Sequence, residues 1–218
     1  MRIGIIGAGN IGGTLTRRLT ALGHDVQVAN SRDPGTLAGL ADETGARAVW
    51  AADAATDADL VIVSIPQKSV PDLAPGILSR ARPGAPVLET NNYYPQRDGR
   101  IAAIEDGQPE SVWVAEQLGV AVVKVFNGIY SKHLVTKAAA KGSAGRVAIP
   151  IAGADGPAKQ AAFDLVDELG FDPVDGGPLE QSWRQQPGTP VYGKNYGVTD
   201  ALEALAEASP ERPADFRA

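Results

Sequence analysis

The stretch Arg2-Ile3-Gly4-Ile5-Ile6-Gly7-Ala8-Gly9-Asn10-Ile11-Gly12 decides how the rest of the chain is read. Its first five residues are rich in β-branched apolar side chains and form a short buried strand. A G-x-G-x-x-G run follows at once, and Leu15, Leu19 and Leu22 then recur at helical spacing up to Gly23. Strand, glycine turn and amphipathic helix in that order make a βα unit whose turn can hold a pyrophosphate. Gly7 permits the tight turn, Gly9 lets the backbone approach a phosphate, and Gly12 lets the helix lie near the strand. The free N–H groups and partial positive charge of the helix N-terminus face the anion. Gly7, Gly9, Asn10, Ile11 and Gly12 are therefore the candidate phosphate cradle.

Further strands are expected at 24–29, 46–49, 60–65, 86–90 and 120–126, where apolar runs are bounded by turn residues. Helices are expected at 37–44, 69–81, 110–118 and 130–140, with a long loop over 91–107. This alternation predicts an α/β fold of the Rossmann type, a doubly wound parallel sheet. Beyond a loop at 141–145 the pattern resumes with a strand at 146–152, a helix at 157–169 and a strand at 171–174. A polar, aromatic-bearing segment at 181–196, a last helix at 198–208 and a frayed tail follow. The expected division is a dinucleotide-binding Rossmann domain at 1–142 and a small C-terminal α/β domain at 143–218.

Composition narrows the function. The 218 residues suffice for one sizeable domain with a small appendage. With no cysteine, disulfides, thiol nucleophiles and thiolate metal sites are excluded, and two histidines rule out a His-rich metal centre. A net charge of −6 argues against general nucleic-acid binding. No run of about 20 apolar residues offers a membrane span, and Met1-Arg2 leads straight into the first strand. A soluble, cytoplasmic protein with a small-molecule partner is expected.

The end of the second strand reports on which dinucleotide binds. An NAD site commonly places Asp or Glu there for the ribose 2′-hydroxyl. Here the position falls on Asn30, followed by Ser31 and Arg32. A carboxylate would repel a 2′-phosphate, whereas a serine hydroxyl and a guanidinium can bind it, so NADP(H) is the expected cofactor. Ligands in such sheets lie beyond the carboxyl ends of the strands, which singles out Ser64-Ile65-Pro66, Thr90-Asn91-Asn92 and Phe126-Asn127-Gly128. Pro66 can support a ring face, and Asn91 and Asn127 can bond a ribose or carboxamide. Lys132 and His133, just after the sixth strand, are the candidate acid–base residues. Tyr93, Tyr94, Tyr130 and Tyr192 can donate protons or stack on a flat substrate, and Trp183-Arg184 can cover the site. His24 reads as strand-edge structure.

GAGNIG at 7–12, NSR at 30–32, VIVSIP at 61–66 and VKVFNGIY at 123–130 resemble the NADP-dependent oxidoreductases of the coenzyme F420 type. The resemblance implies an N-terminal Rossmann domain, a small C-terminal domain forming a cleft, NADP(H) as cofactor and a homodimer. It carries Gly7, Gly9, Asn10, Ile11 and Gly12 onto the phosphates, Ser31 and Arg32 onto the 2′-phosphate, and Ser64, Pro66 and Asn127 onto the nicotinamide pocket. The implied reaction is hydride transfer between NADPH and coenzyme F420 or a similar flat redox carrier, which needs orientation and exclusion of water more than an enzymic acid. The loop at 91–99 and the segment at 182–196 depart from the family pattern. Two other readings stay open: an NADPH-dependent imine or carbonyl reductase, which needs a proton donor, and a non-catalytic NADPH-sensing module.

Overall fold

Successive side chains of a strand point to opposite faces of its sheet, so a strand that is apolar throughout must be covered on both. The computed structural model, which describes all 218 residues, meets that requirement. Six parallel strands, β1 (Arg2–Ile6), β2 (Asp25–Ala29), β3 (Arg47–Ala48), β4 (Leu60–Val63), β5 (Val87–Glu89) and β6 (Val123–Lys124), lie in the order β3-β2-β1-β4-β5-β6. This is the doubly wound Rossmann arrangement, with its order reversing between β1 and β4. Ile3, Ile5, Leu60 and Ile62 join one core, while Ile6, Val61 and Val63 join the other.

The first core is closed by Leu15 and Leu19 of α1 (Asn10–Ala21) and Leu134 of α6 (Ser131–Thr136). The second is closed by Ala54, Ala55 and Ala58 and by Trp113 and Val114 of α5 (Glu110–Leu118). A helix α2 (Ala38–Thr44) follows β2. A second, two-stranded parallel sheet pairs β7 (Ala148–Ile151) with β8 (Asp172–Asp175) across the connecting helix α7 (Pro157–Glu168). Reciprocal backbone bonds of 2.8 and 3.0 Å between Lys124 and Ala152 join this sheet to β6. Ile149, Ile151, Leu165, Val166 and Phe171 belong to the first core, so the hydrophobic interior runs on past the connection at 141–146. The last helix, α8 (Val198–Glu207), packs Ala201, Ala204 and Leu205 against Ala148 and Val174. No helix is long and apolar enough to cross a membrane.

Three expectations are corrected. The helix at 69–81 is replaced by two short 3₁₀ turns, Gln67–Ser69 and Ile77–Arg80. Pro71 and Pro75 withhold backbone donors, and Gly76 at φ 75° turns the chain left-handed between the two turns. The loop at 91–107 holds two single-turn helices, α3 (Pro95–Asp98) and α4 (Ala102–Glu105). The tail is docked. Arg212 donates to Glu110 at 2.7 Å, Gln96 donates to the Asp215 carbonyl at 3.0 Å, and Phe216 lies against Tyr94.

The layering makes a direct prediction. Ile62→Ala, at a fully buried site, should lower stability in urea by about 2–5 kcal/mol. Leu202→Ala, on the exposed side of α8, should stay within about 0.5 kcal/mol of wild type.

Candidate functional site

The turn from β1 into α1 is set by contacts that leave no room for side chains. A Cβ at Gly7, which sits at φ 110°, would collide with the Ser64 carbonyl oxygen, and one at Gly12 would collide with the Gly7 carbonyl oxygen. These contacts hold α1 against β1 and β4. Gly9 differs: its Cβ would meet nothing within 4 Å. Gly9 is also the N-cap of α1, with no side chain capping the first turn and no acidic residue in it. Asn10 is exposed and Ile11 half-buried beside it. A twelve-residue helix thus offers free N–H groups and its positive end to open space, an arrangement that fits a pyrophosphate.

At the end of β2 the Asn30 amide is used to shape its own loop. Its Oδ1 accepts from Arg32 N at 2.8 Å, and its Nδ2 donates to Thr36 Oγ1 at 2.9 Å. Ser31 and Arg32 are thereby turned outward, both exposed, and the Arg32 guanidinium has no protein partner. Asn30 and Ser31 line one wall of a cleft of about 340 Å³ that starts at Gly7. Ile65, Leu73 and Ile77 line the other wall. The cradle, the 2′-phosphate candidates and the cleft are therefore contiguous, and the donor set suits a phosphorylated dinucleotide.

The strand ends of β4, β5 and β6 are tied to one another. Asn91 Oδ1 accepts from Ile65 N at 3.1 Å, and Thr90 Oγ1 donates to Ser64 Oγ at 2.9 Å. Pro66 is exposed beside them. Asn127, 5% exposed, spends its amide inside the protein. Its Nδ2 donates to the Gln185 carbonyl at 2.7 Å and to Asn92 Oδ1 at 3.1 Å, while Gln185 Nε2 donates to its Oδ1 at 3.0 Å. Phe126 before it holds φ at 61°, a left-handed conformation that costs an apolar residue about 1–2 kcal/mol. Asn127 thus anchors the C-terminal segment to the sheet. Ser64, Ile65, Pro66 and Asn91 are brought together, and the Asn127 side chain serves this anchoring bond network.

Lys132 and His133 open α6, which packs on α1. Lys132 is exposed with no side-chain bond. His133 meets the Tyr130 ring edge-on at 5.4 Å, and neither residue bonds to the strand-end amides. A tyrosine group stands closer to those amides. Tyr94 OH and Tyr192 OH share a hydrogen bond, and Asn92 Nδ2 donates to Tyr192 OH at 3.3 Å and to the Asn127 carbonyl at 2.8 Å. Burial pushes both phenols above their usual pKa, so both carry their protons at neutral pH.

Beneath the strand ends lies a group of buried charges absent from the expected site. Glu89 and Lys124 are register partners on β5 and β6, and both are fully buried. Their side chains share the face covered by α5, where Ser111 donates to Glu89 Oε1, and Lys124 Nζ lies 3.3 Å from the same oxygen. Glu110, also fully buried, is 3.8 Å from Lys124 and 2.7 Å from Arg212. Two carboxylates and two cations balance. The group holds Asn91 from both sides, since Glu89 Oε2 accepts from Asn91 N at 2.7 Å and Lys124 Nζ donates to the Asn91 carbonyl at 3.1 Å. A charged residue inside each of two apolar strands was the available sequence signal. Arg212, in the tail, had none.

The sequence model of the family described as "NADP oxidoreductase coenzyme F420-dependent" matches residues 2–93, the stretch that contains the cradle, the β2 end and the β4 and β5 ends. A crystal structure of hypothetical protein SMa0349 from Sinorhizobium meliloti is 31% identical at a TM-score of 0.74, covering 90% of this chain and 94% of that one. The chain belongs to the coenzyme F420-dependent NADP oxidoreductase family. An Arthrobacter protein assigned as an F420-dependent NADP-reductase shares the fold at 22% identity and a TM-score of 0.65, over 82% of this chain and 86% of that one. The Escherichia coli protein YjhV is 44% identical over 65 residues, 30% of this chain. That match spans about half of YjhV, 47% of its length.

The buried charges make a pH-dependent prediction. Burial raises the pKa of the Glu110 carboxyl, while Lys124 and Arg212 pull it down. Arg212→Ala removes one of these pulls and leaves a buried carboxylate undercompensated, a change that costs about 3–5 kcal/mol. A carboxyl whose folded pKa is raised takes up its proton more readily folded than unfolded, so the loss should be full at about pH 8 and shrink toward about pH 5. Urea unfolding at the two pH values measures it, and Glu110→Gln added to Arg212→Ala should recover much of the loss at the higher one.

Proposed function

We infer that the protein is an NADP(H)-dependent oxidoreductase that transfers a hydride between NADPH and a second, flat redox carrier such as coenzyme F420. The observation that carries this reading is the uncapped N-terminus of α1 at Gly9, two residues on from a cleft that Gly7 shares with Asn30 and Ser31, the residues just before the unpaired Arg32. Backbone N–H groups of Asn10, Ile11 and Gly12 bind the pyrophosphate, each charge-assisted bond being stronger than a neutral one. Ser31 and Arg32 bind the 2′-phosphate, the guanidinium in bidentate fashion. Ser64 and Pro66 form the wall for the nicotinamide, the turn between them fixed by Asn91 through the Ile65 N–H. The cofactor, when bound, supplies the hydride. The residues around it orient the partners and exclude water, which suffices for transfer between two stacked rings. Action as a homodimer belongs to the same proposal.

A second reading, reduction of an imine or carbonyl, is favoured by the Tyr94–Tyr192 pair. Such a product needs a proton as well as a hydride, and these phenols keep theirs at neutral pH.

Mixing NADPH with coenzyme F420 under anaerobic conditions separates the two. The first reading expects loss of the F420 absorbance, with a rate that Tyr192→Phe leaves within about twofold, a margin of about 0.4 kcal/mol in barrier. Turnover of a carbonyl or imine compound in place of F420, reduced about 100-fold by Tyr192→Phe, would establish the second. For the cradle itself, Gly9→Ala has space for its methyl and a φ of −74° that alanine accepts. Its melting temperature should match wild type while NADPH binding weakens at least tenfold, about 1.4 kcal/mol.

A further inference from the structure

The cleft beyond Gly7 has a chemical character of its own. Ile65, Leu73 and Ile77 give it an apolar lining. The polar side chains on its lining are Asn30, Ser31, Ser69 and Asp72. The Asn30 amide is consumed by Arg32 N and Thr36, and Ser31 stands next to Arg32 at the phosphate end. Ser69 and Asp72 remain on the opposite wall, and neither side chain bonds to any protein group. Their placement follows from the broken helix. The 3₁₀ turn Gln67–Ser69 passes into a further turn in which Asp72 N donates to the Ser69 carbonyl at 3.3 Å, bringing both side chains onto the cleft.

An ionised carboxylate only accepts hydrogen bonds, whereas a serine hydroxyl donates and accepts. A ring edge that offers an amine donor beside a ring-nitrogen acceptor complements that pair. On the edge shared with N7, an acceptor in both purines, a carbonyl oxygen in place of the amine leaves no donor and sets two acceptors against each other. We propose that Asp72, with Ser69 beside it, recognises the exocyclic amine of an adenine ring held in this cleft and so selects adenine over 6-oxopurine dinucleotides. Asp72 is then a specificity-determining residue for the nucleotide, remote from the reacting atoms. The assignment rests on the dinucleotide reading above and goes beyond it by stating which base is read and by what group.

The probe is the deamino analogue of NADPH, in which hypoxanthine replaces adenine and a carbonyl oxygen stands where the amine was. Binding of NADPH and of the analogue is measured by fluorescence titration of the whole chain, with no turnover involved. Wild type should bind the analogue about tenfold more weakly, because the charged acceptor loses its donor and faces a second acceptor. Asp72→Ala should bring the two affinities within about twofold. Asp72→Asn, whose amide can donate to the carbonyl oxygen, should make the analogue the equal or better ligand. Asp72 is exposed and unbonded, so both variants should melt with wild type. Equal binding of NADPH and its analogue by wild type, or a preference that survives in Asp72→Ala, overturns the base assignment alone. Failure of wild type to bind NADPH at all overturns the dinucleotide reading and this assignment with it.

Discussion

The carbonyl of Gly7 occupies the space in which any residue but glycine at position 12 would place its side chain, and the rest of the site depends on that close approach. It brings the first turn of α1 down onto the ends of β1 and β4. The N-terminus of α1 that it positions carries no side-chain cap and has open space at Gly9. A helix end left without a capping side chain is a cost in a protein that binds nothing there, because about four N–H groups lack intrahelical partners. In a protein that binds a phosphate, those groups are the binding site. The glycines therefore link the packing of α1 to the open end it presents through one geometric constraint.

The opposite half of the site rests on charge. The ends of β4, β5 and β6 must be rigid for a ring to lie across them, yet three strand ends meeting at a cleft expose backbone groups that need partners. Asn91 supplies one by capping Ile65, and it is held in turn by Glu89 and Lys124. These two charges are buried completely, so they are tolerable only as part of the balanced group that Glu110 and Arg212 complete. The C-terminal tail thus reaches back, through Arg212, to support a strand end near the start of the cleft. Asn127 plays the matching part for β6, pinning the segment around Gln185 to the sheet.

Much of this was legible in the amino-acid sequence. The doubly wound parallel sheet followed from apolar runs alternating with helical spacing, and the candidate cradle from three glycines in their strand–turn–helix context. The helix at 69–81 was misread because a proline is harmless only in a helix's first turn. A second proline and a left-handed Gly76 leave no interior for a helix to occupy. The turns α3 and α4 carry no periodicity; Asp98 caps Tyr94 N at 2.9 Å and Tyr93 OH bonds Glu105 and the Gly99 carbonyl, so tertiary bonds make them. Glu89 and Lys124 announced themselves as charges in apolar strands, but Arg212 lies 102 residues from Glu110. No local pattern reports a pair so distant. For the same reason Asn127 reads as a ligand-facing amide in sequence, although Gln185 claims it in the fold.

The central claim is that the open end of α1 and the unpaired Arg32 together hold a 2′-phosphorylated dinucleotide. Calorimetric titration of NADPH and NADH into wild type and Arg32→Ala tests it most directly. The account predicts that wild type binds NADPH more tightly than NADH, and that Arg32→Ala loses about 1–3 kcal/mol for NADPH while NADH is little changed. Equal losses for both cofactors, or equal affinities in wild type, would contradict it.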